Sequence, residues 1–226
     1  MISRFFPRLA VAALVALTAC TEQGDNDALR VSRLVFDQNF GDKPAPREIP
    51  SRAQLNEIRS ALLALEIGGR DPVFIVPIAQ NGPYLTYMDP GRRGLVLHDA
   101  AISSTIAFGH DLKGIKTQDN DPIAHQTPLA EWPSVFDRVY QYRVRDGEDF
   151  IIALTCQFTD AEDEVIEIYE LLFETVRVTE TCVNSYRKVT NTYWVEADTG
   201  FIWRSDQWVS PKQPRMSIEI IRPFGE

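Results

Sequence analysis

Lys188-Val-Thr-Asn-Thr-Tyr-Trp-Val-Glu196, Ala197-Asp-Thr-Gly200 and Phe201-Ile-Trp-Arg-Ser-Asp-Gln-Trp-Val209 follow one another without a break. β-Branched and aromatic residues dominate both flanks, and a short polar turn ending in Gly separates them. This predicts two antiparallel strands joined by a tight turn. The same grammar extends in both directions. Met216 to Ile221 reads as a last strand. Upstream, Val135 to Val144 and Phe150 to Phe158 flank Arg145-Asp-Gly-Glu-Asp149, Val73 to Ala79 and Tyr84 to Met88 flank Asn81-Gly-Pro83, and Leu95 to His98 precedes Ile102 to Phe108. Many short strands without alternating helices predict a mainly β fold, an antiparallel sheet curled into a barrel or half-barrel.

One helix is expected on that sheet. Ser51 with Gln54 three residues later is a capping-box pattern, and Leu55, Ile58, Leu62 and Leu65 follow at helical spacing, so a helix over about 52–65 is predicted, stopped by Gly68-Gly69. Residues 109–133 read as a long irregular loop. The stretch 164–181 is ambiguous, because Glu164 to Glu174 suits a helix while Thr175-Val-Arg-Val-Thr179 alternates like a strand.

The N-terminus carries a different signal. Arg4 and Arg8 precede the apolar run Leu9 to Leu17, and Leu17-Thr-Ala-Cys20 resembles the bacterial lipobox, whose Cys is acylated and becomes the first mature residue. Residues 1–19 are therefore expected to be a lipoprotein signal peptide, with lipid on Cys20. The run is far short of the ~20 residues that a membrane-spanning helix needs. Thr21 stands where the inner-membrane retention signal of Gram-negative bacteria has Asp, so an outer-membrane place facing the periplasm is expected. Residues 20–50 are polar and turn-rich and read as a lipidated tether, with one short helix over Leu29 to Phe40. Residues 51–226 form the single β domain.

Charge agrees with a lipid mooring. The full chain of 226 residues has net charge −9, and losing Arg4 and Arg8 leaves −11. Anionic lipid repels such a body, and a sequence-independent nucleic-acid binder needs the opposite sign. With 44% hydrophobic and 24% charged residues the chain has ample core material. Of three cysteines, Cys156 and Cys182 remain after lipidation, and an oxidising compartment favours their pairing over two free thiols. A straight hairpin turning near Ala161 would place Cys156 opposite Glu167, leaving Cys182 roughly 50 Å away at strand rise. Pairing is then expected to need a sharp bend, which a curled barrel supplies.

Signals for chemistry are few. His110-Asp111 lies near Ser103 and Ser104, yet neighbouring residues of an extended chain point to opposite faces, and the chain has no Gly-x-Ser-x-Gly elbow. His98 and His125 stand singly without a second ligand at metal spacing, and the acidic run Asp160 to Glu167 lacks the spacing of a calcium loop and reads as a solvated turn. No catalytic residue, metal or cofactor is expected. On the C-terminal strands Tyr193 and Val195 share a face opposite Trp194, while Phe201, Trp203, Ser205 and Gln207 share one opposite Ile202, Arg204, Asp206 and Trp208. Two readings stand side by side: core and rim packing, or a carbohydrate platform of Trp194, Trp203, Arg204, Gln207 and Trp208.

The stretch Asn191 to Pro211 resembles the C-terminal signature of the YjbF/GfcB family, bacterial lipoproteins linked to exopolysaccharide and capsule production. The lipobox, Ile49 to Gln54, Asp121-Pro-Ile123 and Glu180-Thr-Cys182 agree with it. One departure is Thr105-Ile-Ala-Phe-Gly-His-Asp-Leu112, where the family usually has Arg in place of Ile106. The resemblance implies a barrel-like, outer-membrane lipoprotein without established catalytic residues. It leads us to expect a non-catalytic role in polysaccharide export or assembly, beside outer-membrane or periplasmic export proteins and in contact with glycan. A carrier barrel holding an acyl chain is the alternative, and it predicts a large dry cavity between the sheet and helix 52–65.

Overall fold

The computed structural model describes residues 49–143 and 149–225; Cys20, the signal segment and the helix expected over Leu29 to Phe40 lie outside them. The fold is mainly β, and the described residues form twelve strands in one nearly closed antiparallel sheet. After helix α1 (Arg52–Leu55) come β1 (Leu62–Ile67), β2 (Val73–Asn81), β3 (Tyr84–Met88), β4 (Gly94–His98) and β5 (Ala101–Ile106), then β6 (Leu112–Thr117), β7 (Val135–Arg143), β8 (Asp149–Ile168), β9 (Leu171–Val183), β10 (Lys188–Val195), β11 (Ile202–Gln207) and β12 (Met216–Arg222). Two meanders, β1 to β5 and β6 to β12, are joined where β12 pairs with β1. The outermost strands, β5 and β6, face each other across a seam. Among the described residues, no helix is long and apolar enough to cross a membrane.

The helix is much shorter than its apolar spacing predicts. The capping box forms, with Ser51 N donating to Gln54 Oε1 at 2.8 Å and Gln54 N donating to Ser51 Oγ. The chain then leaves the helix, and Leu62 and Leu65 belong to β1. All of Leu62, Leu63, Ala64 and Leu65 are buried. Leu63 and Leu65 face the barrel interior, whereas Leu62 and Ala64 face a second cluster outside it. A strand buried on both faces reads as an unbroken apolar run, which periodicity cannot tell from a helix. Pairing with both β2 and β12 decides the matter.

The ambiguous stretch 164–181 contains no helix: it is strand on both sides of a two-residue turn. β8 and β9 form one long hairpin whose turn is Tyr169-Glu170, both with positive φ, rather than a turn near Ala161. Its ladder brings Cys156 directly opposite Cys182, Cα to Cα 4.0 Å, and the two form a disulfide. No sharp bend is needed; a bulge between Thr159 and Glu162, with Asp160 in the left-handed region, is enough. The acidic run is therefore a stretch of bulged strand, in which Arg177 pairs with Glu162 and Glu164, and not a turn.

The long loop also differs from expectation, because Leu112 to Thr117 within it form edge strand β6. Only Leu112 of that strand is fully buried, so its strand signal is faint. The rest of the loop, 118–134, closes one end of the barrel. Gly200 in the β10–β11 turn supports it: φ is +72°, and a Cβ there would lie 1.9 Å from Thr127 O, so only glycine fits.

The interior is filled by large side chains, among them Phe136, Tyr140, Leu95, Ile102 and Met216. Outside the wall, the tip of the β8–β9 hairpin and α1 fold against β1, β2 and β12, where Ile166 and Ile168 pack with Leu55, Ile58, Phe74 and Ile221. The space between helix and sheet, where an acyl-chain carrier would be hollow, is occupied by these residues.

Candidate functional site

Loop 118–134 is anchored by a charge placed inside the barrel. On β7, Phe136, Arg138, Tyr140 and Tyr142 alternate toward the interior, so the single Arg among aromatics is fully buried. Its Nη2 donates to Asp121 Oδ1 and Oδ2 at 2.9 and 2.7 Å, and Nε to Oδ2 at 3.0 Å. Nη1 donates to Glu180 Oε2 at 3.1 Å and lies 2.9 Å from Oε1. Asn191 Nδ2 and Tyr193 Oη complete Glu180 Oε2 at 2.6 and 3.0 Å, and Thr117 Oγ1 donates to Asp121 at 2.6 Å. Burial opposes the guanidinium charge, but the Glu180 and Asp121 carboxylates outweigh it and hold Arg138 protonated well above the ordinary range. Burial likewise pushes the Tyr193 phenol well up. Arg138, Asp121, Glu180, Asn191 and Tyr193 are buried and Thr117 is half-buried, and the network holds the loop to the barrel interior.

The same loop borders two clefts. One, of about 280 Å³, lies between the β3–β4 pair and the β11 and β12 ends, lined by Tyr87, Leu97, Phe201, Ile202, Ile220 and Phe224 among others. The other, of about 320 Å³, lies at the β5–β6 seam. There Tyr84 stands opposite His98 in the β3–β4 ladder, with ring centroids 4.7 Å apart, and His125 of the loop meets His98 edge to face at 4.8 Å. Ser103 of β5 and Lys116 and Asp119 of the β6 side complete the wall. Burial lowers the His98 imidazole from its usual range, and the Asp99 carboxylate opposes this. His98 and His125, solitary in sequence, are thus neighbours in space: the loop returns over β4, with the Ala100 and Ala101 amides donating to Ile123 O.

The five residues of the expected carbohydrate platform do not share a surface. Trp194 pairs with Arg204 but Val195 with Ile202, leaving Trp203 as a bulge residue and breaking the alternation that placed it with Ser205 and Gln207. Trp203 and Trp194 lie under the β8–β9 arm: Phe173 stacks on Trp203 at 4.0 Å, the Arg204 guanidinium sits 5.4 Å from the Trp194 ring, and neither indole N–H has a partner. Arg204 donates to Glu219 Oε1 at 2.7 Å and to Glu167 O at 2.8 Å. Gln207 is buried inside, its Nε2 donating to Ala100 O at 2.7 Å and its Oε1 accepting from Ile102 N at 3.3 Å. Trp208 packs edge-on against Tyr140 at another place, 5.1 Å between centroids. The five are thus divided among the hairpin arm, the barrel interior and the Tyr140 contact.

Asp111, next to His110 and near Ser103 and Ser104 in sequence, is committed to a turn. Asp111 accepts from Thr105 Oγ1 and from the Ala107 and Phe108 amides at 2.9 to 3.1 Å, and Leu112 N donates to Thr105 Oγ1. It clamps the β5–β6 turn at the closed end of the seam, while His110 is exposed. Cys156, Glu180 and Cys182 come close together, but the sulfurs are tied in the disulfide and are not thiolate ligands. Arg138 escaped the sequence reading; the only signal was one cation on an otherwise aromatic strand face.

Comparison with known proteins gives a consistent direction. The family described as "Group 4 capsule polysaccharide lipoprotein gfcB, YjbF" matches residues 31–221. Among solved structures, the hypothetical lipoprotein YmcC from Escherichia coli (K12) is similar in fold, with a TM-score of 0.69, 16% identity, and coverage of 91% of this chain and 100% of that one. No curated protein matches the chain.

Proposed function

We propose, from the premise that this chain belongs to the YjbF family of group 4 capsule polysaccharide lipoproteins, that it assists export or assembly of an exopolysaccharide or capsule by binding or scaffolding, without catalysing a reaction. Lipid on Cys20 moors it to the outer membrane, and the barrel faces the periplasm beside export proteins. The observation that carries this reading is the extent of the family match, residues 31–221, which takes in the barrel strands up to β12. The acidic body supports a lipid mooring, because anionic lipid would not hold it by charge.

A non-catalytic role is supported by how the polar groups are employed. Asp111 serves a turn, and Asp121, Arg138 and Glu180 serve each other inside the barrel. The acyl-carrier alternative gains no support from the packed space between α1 and the sheet. Deleting the gene and measuring exported polysaccharide tests the proposal: polymer falls and returns with a plasmid copy, whereas unchanged polymer contradicts it.

A further inference from the structure

We propose that the cleft at the β5–β6 seam is the place where this protein holds glycan, taking a pyranose unit of the surface polysaccharide; the inference rests on the functional reading above. Three features of the cleft carry it.

The first is its wall of rings. The Tyr84 ring meets His98 at 4.7 Å and His98 meets His125 at 4.8 Å, and Tyr84 remains 36% exposed. A pyranose has an apolar C–H face that packs on such rings, and hydroxyls around its edge. Imidazole nitrogens at His98 and His125 can pair with sugar hydroxyls, which both donate and accept.

The second is the set of uncommitted polar ends. The polar groups of Asp89, Asp111, Arg138 and Gln207 are engaged by neighbours, whereas the Trp194 and Trp203 indole N–H groups are unpartnered singly under the hairpin arm. In the cleft, no hydrogen bond joins Tyr84 Oη, the His98 and His125 ring nitrogens, Ser103 Oγ, Lys116 Nζ or the Asp119 carboxylate to another described residue. Donors and acceptors of both kinds converge on one concavity, which matches a polyhydroxylated ligand better than an apolar or singly charged one.

The third is the seam itself. Thr105 and Asp111 close one end, and loop 121–125, held by Arg138, closes the other. Between them β5 and β6 share no ladder, so the cleft lies in the one interval of the described wall where neighbouring strands do not pair. A polymer can lie across this interval while one unit enters it.

Native electrophoresis of the full lipidated chain in detergent, through gels containing the surface polysaccharide purified from the producing cells, tests the proposal; dextran and lipopolysaccharide gels run in parallel. Wild type is expected to be retarded by its own polysaccharide and not by dextran. Tyr84→Ala and Lys116→Ala are each expected to weaken binding about tenfold, the scale of one lost contact, with an unchanged unfolding midpoint. Tyr186→Ala, an exposed ring away from the cleft, should bind like wild type. Absence of retardation, retardation by lipopolysaccharide alone, equal retardation by dextran, or cleft variants that bind like wild type would each overturn the cleft assignment. None of these outcomes bears on the deletion phenotype, so the two readings fail separately.

Discussion

Asp121 and Arg138, seventeen positions apart, meet side-on inside the barrel, with two guanidinium nitrogens on one carboxylate at 2.7 to 3.0 Å and both residues almost fully excluded from solvent. The pair ties the end loop to β7 and, through Glu180, to β9 and β10. Replacing Arg138 with Met leaves two buried carboxylates unpaired, and removing one partner of such a pair costs roughly 3 to 5 kcal/mol. Urea unfolding of Arg138→Met should therefore show a much lower midpoint; a midpoint within experimental error of wild type would contradict this role.

Cys156 and Cys182 form a cross-strand bridge within a ladder that already fixes their register. The bridge closes a loop of 26 positions, and in the chain-entropy model it stabilises by about 3 to 4 kcal/mol. The double variant Cys156→Ala, Cys182→Ala is expected to keep its far-UV circular dichroism and lose stability of that order. Wild type in reductant should approach the variant's midpoint.

Trp203 and Phe173 dock the long hairpin arm onto the barrel wall. Trp203→Ala should cost roughly 2 to 3 kcal/mol, somewhat less than a fully buried ring, and free the arm. Limited proteolysis reads this directly, with faster cleavage within 160–175 in the variant. Unchanged cleavage would show that the ring does not hold the arm.

Alkali should reveal the buried phenols. Burial raises Tyr87 to about 12, and Tyr140, Tyr142, Tyr169 and Tyr193 are also pushed up by burial. In the unfolded chain these groups ionise near pH 10, so above that pH the unfolded state binds fewer protons and stability falls as pH rises. Phenolate absorbance is expected to appear partly with unfolding, and Tyr87→Phe should soften the loss of stability between about pH 10 and 12.

Much of the architecture was legible before any coordinates. The strands around Ala197-Asp-Thr-Gly200 follow from alternation and turn chemistry, and the capping box at Ser51 forms with both bonds in place. What failed did so for local physical reasons. Leu62 and Leu65 read as helix because β1 is buried on both faces. The β8–β9 turn was missed because Tyr169-Glu170 carries no Gly or Pro despite positive φ. Register then follows from the turn, which is why Cys156 found Cys182 without a bend. The alternation that grouped Trp203 with Gln207 broke at a bulge invisible to a period-two count. The sites were less legible still. Asp121 and Glu180 stood within stretches that carried the family resemblance, but their purpose needed Arg138, a partner only the fold supplies. His98 and His125 met through a loop whose return path no spacing rule predicts.

The lipid mooring is the central claim, and one complementation measurement tests it most directly. In a strain lacking the gene, surface polysaccharide is quantified after supplying either wild type or a Cys20→Ala chain carrying an ordinary cleavable secretory signal, with periplasmic levels of the two matched. The account predicts that wild type restores the polymer and the unlipidated chain does not. Full restoration by the unlipidated chain would contradict it.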